Sequence, residues 1–399
     1  MEEKEEKKGE QILHPNNIEK SLMKINKEYE QKKKIKRFKS LRLLLVFLIV
    51  IIVLVLGVVV VGNYYLNYQY NKLNYQEIDL NKIAISKTGV PSGFRNIIIF
   101  GVDSMTDDLS TDYRTDSIIV LSLNENTNTV KMFSIYRDTY FKMELDVVDN
   151  KKVSDKQVIF DKVNHAYYDG VENSLKVINS NMDLNISEYV IGNYTTVIDA
   201  VNFLDGIELD ITTDELKFIN GYINQINKTT NNNAAHIKKA GLQTVNGVQA
   251  CAYCRIRYTE GGDYKRTERM RTVLNKIGEK VRALPLSKIN EFLSVVLPDI
   301  ETNIKVDDII NMIPKALNIT IEDSFGWPYE TEGIWFDNYG SKDFFGPAKT
   351  LESNVKKLHV ELFDQSEYEV PENIVTISNE IIERTGVGKE AQTNEEEGE

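Results

Sequence analysis

The chain has 399 residues, enough for one large domain or two ordinary ones, and its 48 basic and 60 acidic residues give a net charge of −12. That balance argues against a general binder of nucleic acid or of anionic lipid surface, since either partner needs a basic face. With two cysteines, Cys251 and Cys254, and four scattered histidines, neither a disulfide-dense scaffold nor a Cys/His zinc site is supported.

Residues 1–42 carry 13 basic and 8 acidic side chains, so the remainder of the chain carries −17. This segment reads as a charged cytoplasmic tail. The run from Leu43 to Gly62 has no charged or polar side chain. As a helix it rises about 30 Å, the thickness of a bilayer's hydrocarbon layer. It is too long for a signal-peptide core, and no small-residue cleavage site follows. Lys32, Lys33, Lys34, Lys36, Arg37, Lys39 and Arg42 precede it, and the next charge is Lys72. The positive-inside rule then places the N-terminus in the cytoplasm and everything after Gly62 outside, with Tyr64, Tyr65 and Tyr68 at the interface. Residues 63–92 read as a stalk.

Beyond the stalk the pattern alternates between strand and helix. Arg95–Phe100, Ile118–Leu123 and Val130–Ile135 read as strands, the last two joined as a hairpin by a short polar turn. The first two runs are almost wholly apolar, which predicts cover on both faces. Val163–Ile178 has helical spacing, Ile186–Val190 a strand pattern, Thr195–Leu204 a helix pattern and Ile207–Ile211 a strand pattern. The Asn/Thr-rich stretch Gly221–Ala235 reads as a mobile loop over one edge. Val245–Ala252 reads as a helix, Tyr253–Tyr258 as a strand, and Tyr264–Leu284 as a long helix with Asp263 at its N-cap. Helical segments around Pro298 and Pro314 follow, then strands or loops and a helix near Ala348–Leu358. The fold class expected is α/β, with helices on both faces of the sheet, preceded by one transmembrane helix. Residues 93–285 read as the main domain, 286–375 as an extension packed on it, and 376–399 as an acidic disordered tail.

Lysine outnumbers arginine three to one, 36 to 12, yet seven arginines fall in three short segments that also carry Asp: Arg114, Arg137, and Arg255, Arg257, Arg266, Arg269 and Arg271. The planar five-donor guanidinium binds phosphate bidentately and cannot be neutralised, so this placement points to a pyrophosphate site. The competing reading is a set of surface Arg–Asp pairs, which contribute little stability. Asp103 and Asp116 stand at neighbouring strand ends and are candidates for a hard cation. Mg²⁺ suits them best, because it needs few carboxylates and takes its remaining oxygens from water and phosphate. Alternatively these Asp residues cap turns or pair with Arg114. Arg137 and Asp138 end the third strand. Lys162 and Asn164 open a helix, offering a point charge and an amide. Alternation on a strand would place Arg255 and Arg257 on one face, a pairing that calls for an anion or carboxylate between them. Asp263, Arg266 and Arg269 follow at a helix start, whose backbone donors favour an anion. His165 is read as an ordinary surface or packing residue, and Cys251 and Cys254 as two small buried side chains.

In their order, these segments resemble the LytR-CpsA-Psr family from about Ile97 to Leu284. The resemblance rests on Gly101-Val102-Asp103, Arg114-Thr115-Asp116-Ser117, Ser134-Ile135-Tyr136-Arg137-Asp138-Thr139, Lys162-Val163-Asn164-His165-Ala166-Tyr167, Leu242 to Ala250, Arg255-Ile256-Arg257, and Asp263 to Arg269. It implies an enzyme that moves a glycopolymer, a teichoic acid or capsular polysaccharide, from a polyprenyl-pyrophosphate carrier to a peptidoglycan hydroxyl. It matches Asp103 and Asp116 to metal-binding acids. Arg114, Arg137, Arg255, Arg257 and Arg266 match pyrophosphate-binding arginines, and Lys162 an active-site lysine. It also implies a three-layer α/β/α sandwich with a central mixed sheet, an apolar tunnel for the polyprenyl chain, and a catalytic domain over residues 93–285. Met105 and Met270 depart from the family pattern, which commonly has Arg and Gln there. A hydrolase of the same lipid, and a membrane-anchored binding or regulatory protein, stay open as alternatives.

Overall fold

The three apolar runs form the middle of a seven-stranded mixed sheet. The computed structural model describes residues 73–102, 114–148 and 151–389. The expected tail and membrane run over 1–62, Asp103, Met105 and residues 390–399 lie outside the described residues, among which no helix is long and apolar enough to cross a membrane. All described residues belong to one unit, Tyr68–Glu399.

In chain order the first half comprises β1 (Asn74–Tyr75), β2 (Phe94–Val102), β3 (Thr115–Asn124), β4 (Thr129–Ile135), β5 (Tyr140–Val148), β6 (Lys151–Lys162), α1 (Val171–Met182), β7 (Glu188–Gly192), α2 (Tyr194–Phe203) and β8 (Ile207–Ile211). The second comprises α3 (Thr213–Thr230), β9 (Gly241–Val245), α4 (Gly247–Arg255), α5 (Gly262–Arg282), α6 (Leu286–Val296), β10 (Glu301–Thr302), α7 (Val306–Leu317), β11 (Thr320–Trp327), β12 (Ile334–Asn338), β13 (Ser341–Phe345), α8 (Leu351–Phe363) and α9 (Glu372–Thr385). The sheet order is β1-β10-β7-β2-β3-β4-β11. β2, β3 and β4 are antiparallel neighbours, and β7 and β11 flank them in parallel with β2 and β4.

Period-two alternation sends Ile98, Phe100 and Val102 of β2 to one face, where they meet Leu175 and Ile178 of α1 and Leu358 of α8 in a closed core. Each such burial contributes roughly 1.5–3 kcal/mol. A second core on the other side joins α2–α5 with the antiparallel β8–β9 pair, through residues such as Val201, Leu209, Ile223, Cys251 and Val273. Between this second core and the sheet, beside Ile99 and Ile119, lies a cavity of about 330 Å³.

Several expectations differ from the structure. Gly221–Ala235 is not a loop throughout, because α3 continues to Thr230. A capping box between Thr212 and Glu215 starts that helix, and Ile219, Ile223 and Ile226 bury one face, outweighing the weak helix propensity of its Asn and Thr residues. Tyr253–Tyr258 is not a strand. The Asn246–Gln249 capping box starts α4, which runs on to Arg255 because Ala250, Cys251 and Cys254 share its buried side. Cys251 and Cys254 are buried free thiols, as expected, but on one helix. Gly261, not Asp263, occupies the N-cap of α5. Residues 286–375 do more than pack on the sheet, since β10 and β11 are strands within it. The disordered tail expected from 376 instead begins inside α9, whose Ile374, Ile377, Ile381 and Ile382 are buried. The described part of the stalk is likewise integrated: Ile83 is fully buried and β1 pairs with β10.

Candidate active site

Because β3 runs opposite to β2 and β4, one end of the sheet collects the end of β2, the start of β3 and the end of β4. Loops that follow strand ends are where α/β folds gather reactive groups. Asp116, the second residue of β3, is therefore brought to Arg137, two residues past β4.

Asp116 is the hub. Its Oδ1 accepts from Arg137 Nη1 at 2.7 Å, and its Oδ2 from Arg257 Nη2 at 2.7 Å and Arg266 Nη1 at 3.0 Å. Arg266 Nη2 also donates to the Asp116 carbonyl at 3.1 Å and lies 3.0 Å from Asp263 Oδ1. Burial raises the Asp116 pKa, but Arg266, Arg137 and Arg257 outweigh it and hold the carboxyl at about 2. Burial likewise opposes the charge on Arg137, and Asp116, Asp263 and Asp138 more than restore it. Arg137 Nε stands 3.5 Å from Asp138 and 3.6 Å from Asp263, in both cases without a formed hydrogen bond. Arg266 is 1 % exposed and Arg257 39 %, so Arg257 offers the accessible guanidinium.

The β5–β6 hairpin starts directly after Thr139 and returns Lys162 opposite Tyr140. Lys162 Nζ lies 3.5 Å from Asp138 and 2.8 Å from Asp343. Asn164 is buried, and its backbone N–H donates to the Arg137 carbonyl at 3.3 Å. Arg114, immediately before β3, donates from Nε to the Tyr168 hydroxyl at 2.5 Å and is exposed. The structure thus gathers Asp116, Arg137, Asp138, Lys162, Arg257, Asp263 and Arg266 into one network of ion pairs.

Two predicted residues point elsewhere. Arg255 ends α4 and stacks its guanidinium on Tyr194, 4.8 Å from the ring centroid, with Tyr222 at 5.9 Å. Arg269 is buried and spends its donors on protein: Nε on Glu215 at 2.7 Å, Nη1 on the Ile256 carbonyl at 3.0 Å and Nη2 on Thr259 at 2.6 Å. It fixes the segment that carries Arg257. Asp343 and Tyr168 were not singled out from the sequence. Asp343 lies 181 positions beyond Lys162, and no local spacing connects them.

The cavity includes Asp116 and Ser117 in its wall, which is otherwise built mainly of apolar groups such as Ile119, Val197, Val273, Leu274, Ile277 and Phe292. Met270, where the family pattern commonly has Gln, lines the same space.

Residues 60–359 match the LytR_cpsA_psr family, about three quarters of the chain. The chain belongs to this family. Among curated relatives, it is 24 % identical over 267 residues to the polyisoprenyl-teichoic acid–peptidoglycan teichoic acid transferase TagT of Bacillus subtilis, covering 65 % of this chain and 76 % of that one. It is 28 % identical over 227 residues to biofilm regulatory protein A of Streptococcus mutans, covering 56 % of this chain and 52 % of that one, about half of that relative's length. The crystal structure of protein gbs0355 from Streptococcus agalactiae shares the fold, with a TM-score of 0.52 at 22 % identity over 70 % of this chain and 90 % of that one. The mixed sheet with helices on either face is the fold that this LytR-CpsA-Psr chain shares with that structure.

Proposed function

We propose that this chain transfers an anionic glycopolymer, a teichoic acid or capsular polysaccharide, from a polyprenyl-pyrophosphate carrier to a peptidoglycan sugar hydroxyl. One observation carries the reading: an apolar cavity whose wall includes a carboxylate held by three arginines. A lipid pyrophosphate has the same two parts, a hydrocarbon chain and a compact multiple anion. The name of the TagT relative describes the same reaction class.

Arg137, Arg257, Arg266 and Lys162 face Asp116, Asp138, Asp263 and Asp343, so the network is close to neutral without a ligand. A bound pyrophosphate would compete with Asp116 for the accessible Arg257 and the less exposed Arg137. The acceptor hydroxyl oxygen forms a bond to the glycan-bearing phosphorus as the bridging P–O bond breaks, polyprenyl phosphate leaves with the electron pair, and the hydroxyl proton is released to water. Arginines fixed beforehand stabilise the charge that grows on the leaving phosphate, the largest contribution in most reactions of this kind. Arg269, through Ile256 and Thr259, keeps Arg257 in place for this.

We propose Mg²⁺ as the cation of this site, with support from the surroundings of Asp116. Asp116 stays ionised at physiological pH, its Oδ1 accepts a single hydrogen bond among the described residues, and Val102, which precedes Asp103, pairs with Thr115 beside it. Asp103 and Asp116 would hold the cation, which would supply charge neutralisation at the phosphate oxygens. We place the catalytic unit outside the cell, tethered by residues 43–62, where peptidoglycan and the lipid carrier meet. No nucleic-acid partner is proposed.

The test is transfer by the purified full chain, using a polyprenyl-pyrophosphate oligosaccharide and peptidoglycan strands, with Mg²⁺ or with EDTA. Metal-dependent attachment of glycan to the strands is expected. Release of glycan phosphate without attachment would make the chain a hydrolase, and tight lipid binding without turnover would make it a binding protein.

A further inference from the structure

The β12–β13 hairpin is tied to the reaction centre from its inner face. Asp343 of β13 pairs with Lys162 at 2.8 Å, Phe345 lies under the same ammonium at 5.3 Å, and the Gly346 N–H donates to the Asp138 carbonyl at 2.8 Å. Phe336 and Phe345 pack inward at 4.8 Å centroid separation, and Phe336 also meets Tyr140 at 5.4 Å. Residues directly opposite in an antiparallel pair share a face. The register therefore sends Trp335 with Phe344, and Asp337 with Lys342, to the outer face.

Trp335 is 64 % exposed, unusual for the largest apolar side chain, and its ring centroid lies 5.7 Å from that of Phe344. Gly333 lies under this arrangement, since a Cβ there would sit 2.6 Å from the Phe344 ring. An exposed Trp335 ring against a half-buried Phe344, with the exposed Asp337 and Lys342 opposite each other beside them, thus forms the outer face of the hairpin whose inner face holds Lys162. Aromatic faces take the apolar C–H face of a pyranose, and flanking charged groups hydrogen-bond its hydroxyls.

We propose that Trp335 and Phe344 form a distal carbohydrate subsite that holds the acceptor glycan strand on the outer face of the hairpin tied to Lys162. The proposal rests on the transferase reading. An acceptor is argued over the lipid's own hydrocarbon because the apolar cavity lies elsewhere, among α2, α4, α5 and α6. A sugar is argued over a protein partner because the hairpin that presents the aromatic pair also carries Asp343, the partner of Lys162, and flanks the rings with Asp337 and Lys342. Trp335 acts on acceptor binding, not on bond making.

The experiment compares full-length wild type with Trp335→Ala and Trp335→Phe. It measures transfer to peptidoglycan strands of increasing length, together with binding of the polyprenyl-pyrophosphate oligosaccharide alone. Trp335→Ala should raise the KM for strands about tenfold, leave kcat and lipid binding unchanged, and be partly rescued in Trp335→Phe. Because the side chain is exposed, folding should not change. Equal KM values for wild type and Trp335→Ala would overturn the subsite. So would loss of binding to anionic vesicles lacking glycan, which would make the patch a membrane contact. If wild type itself attaches no glycan, the transferase reading fails, and the subsite with it.

Discussion

Arg266 and Arg269 stand three residues apart on α5, and both are almost completely buried, yet they do different work. Arg266 reaches the start of β3 and shares Asp116 with Arg137 and Arg257, next to the cavity and beside groups that a ligand can reach. Arg269 turns to Glu215 at the start of α3 and to the backbone that follows α4, and every nitrogen of its guanidinium has a protein acceptor. The first arrangement leaves one partner, Arg257, exposed for exchange with an anion. The second is closed. Equal spacing on a helix says that two guanidinium groups lie near one another, not that they share an occupant.

The sharpest way to separate the two is to remove one partner from each. Glu215→Ala leaves Arg269 buried without its carboxylate and should lower stability by roughly 3–5 kcal/mol, the usual cost of an uncompensated buried charge. Urea unfolding measures it, and a change below about 1 kcal/mol would mean that the Arg269 lock is weak. Arg257→Ala should do the opposite. Transfer should fall about 100-fold or more, as when one preorganised donor to transition-state charge is lost, while the unfolding midpoint stays near wild type.

How much of this was legible in the sequence follows from which contacts are local. Apolar runs bounded by polar turns pointed to β2, β3 and β4, and the short Arg/Asp and Lys/Asn segments pointed to Asp116, Arg137, Lys162, Arg257 and Arg266, because strand ends and short motifs carry their chemistry within a few residues. The Arg255-Ile256-Arg257 segment misled, since alternating Arg and Ile resembles a strand, while the capping box at Asn246 lets α4 run through Arg255. The fate of Arg269 depended on Glu215, 54 residues away, and that of Lys162 on Asp343. Tertiary pairs at such separations have no signature in a single sequence.

Two further outcomes sharpen the contrast on a smaller scale. Leu274→Trp adds bulk to the cavity wall and leaves the arginine network intact. It should raise the KM for the polyprenyl donor about tenfold, or about 1.4 kcal/mol, with little effect on kcat for a short-chain donor. An equal effect on long and short donors would argue that the cavity does not hold the hydrocarbon. Acid should act through Asp116. Its folded pKa is depressed to about 2, so the stability it contributes is present above about pH 4 and lost as pH falls through about 2. An Asp116→Asn variant should lose that acid-dependent part of the unfolding free energy and be flat across the same window. If wild type and variant show the same dependence, Asp116 is not the titrating group.

The most direct measurement is glycan attachment by wild type and Arg257→Ala chains of matched stability, with polyprenyl-pyrophosphate oligosaccharide as donor and peptidoglycan strands as acceptor. The predicted result is a phosphodiester-linked glycan on the strand and free polyprenyl phosphate with wild type, and at least a 100-fold slower appearance of both with Arg257→Ala. No attachment by wild type with any of several donor glycans, or equal rates for the two chains, would contradict it.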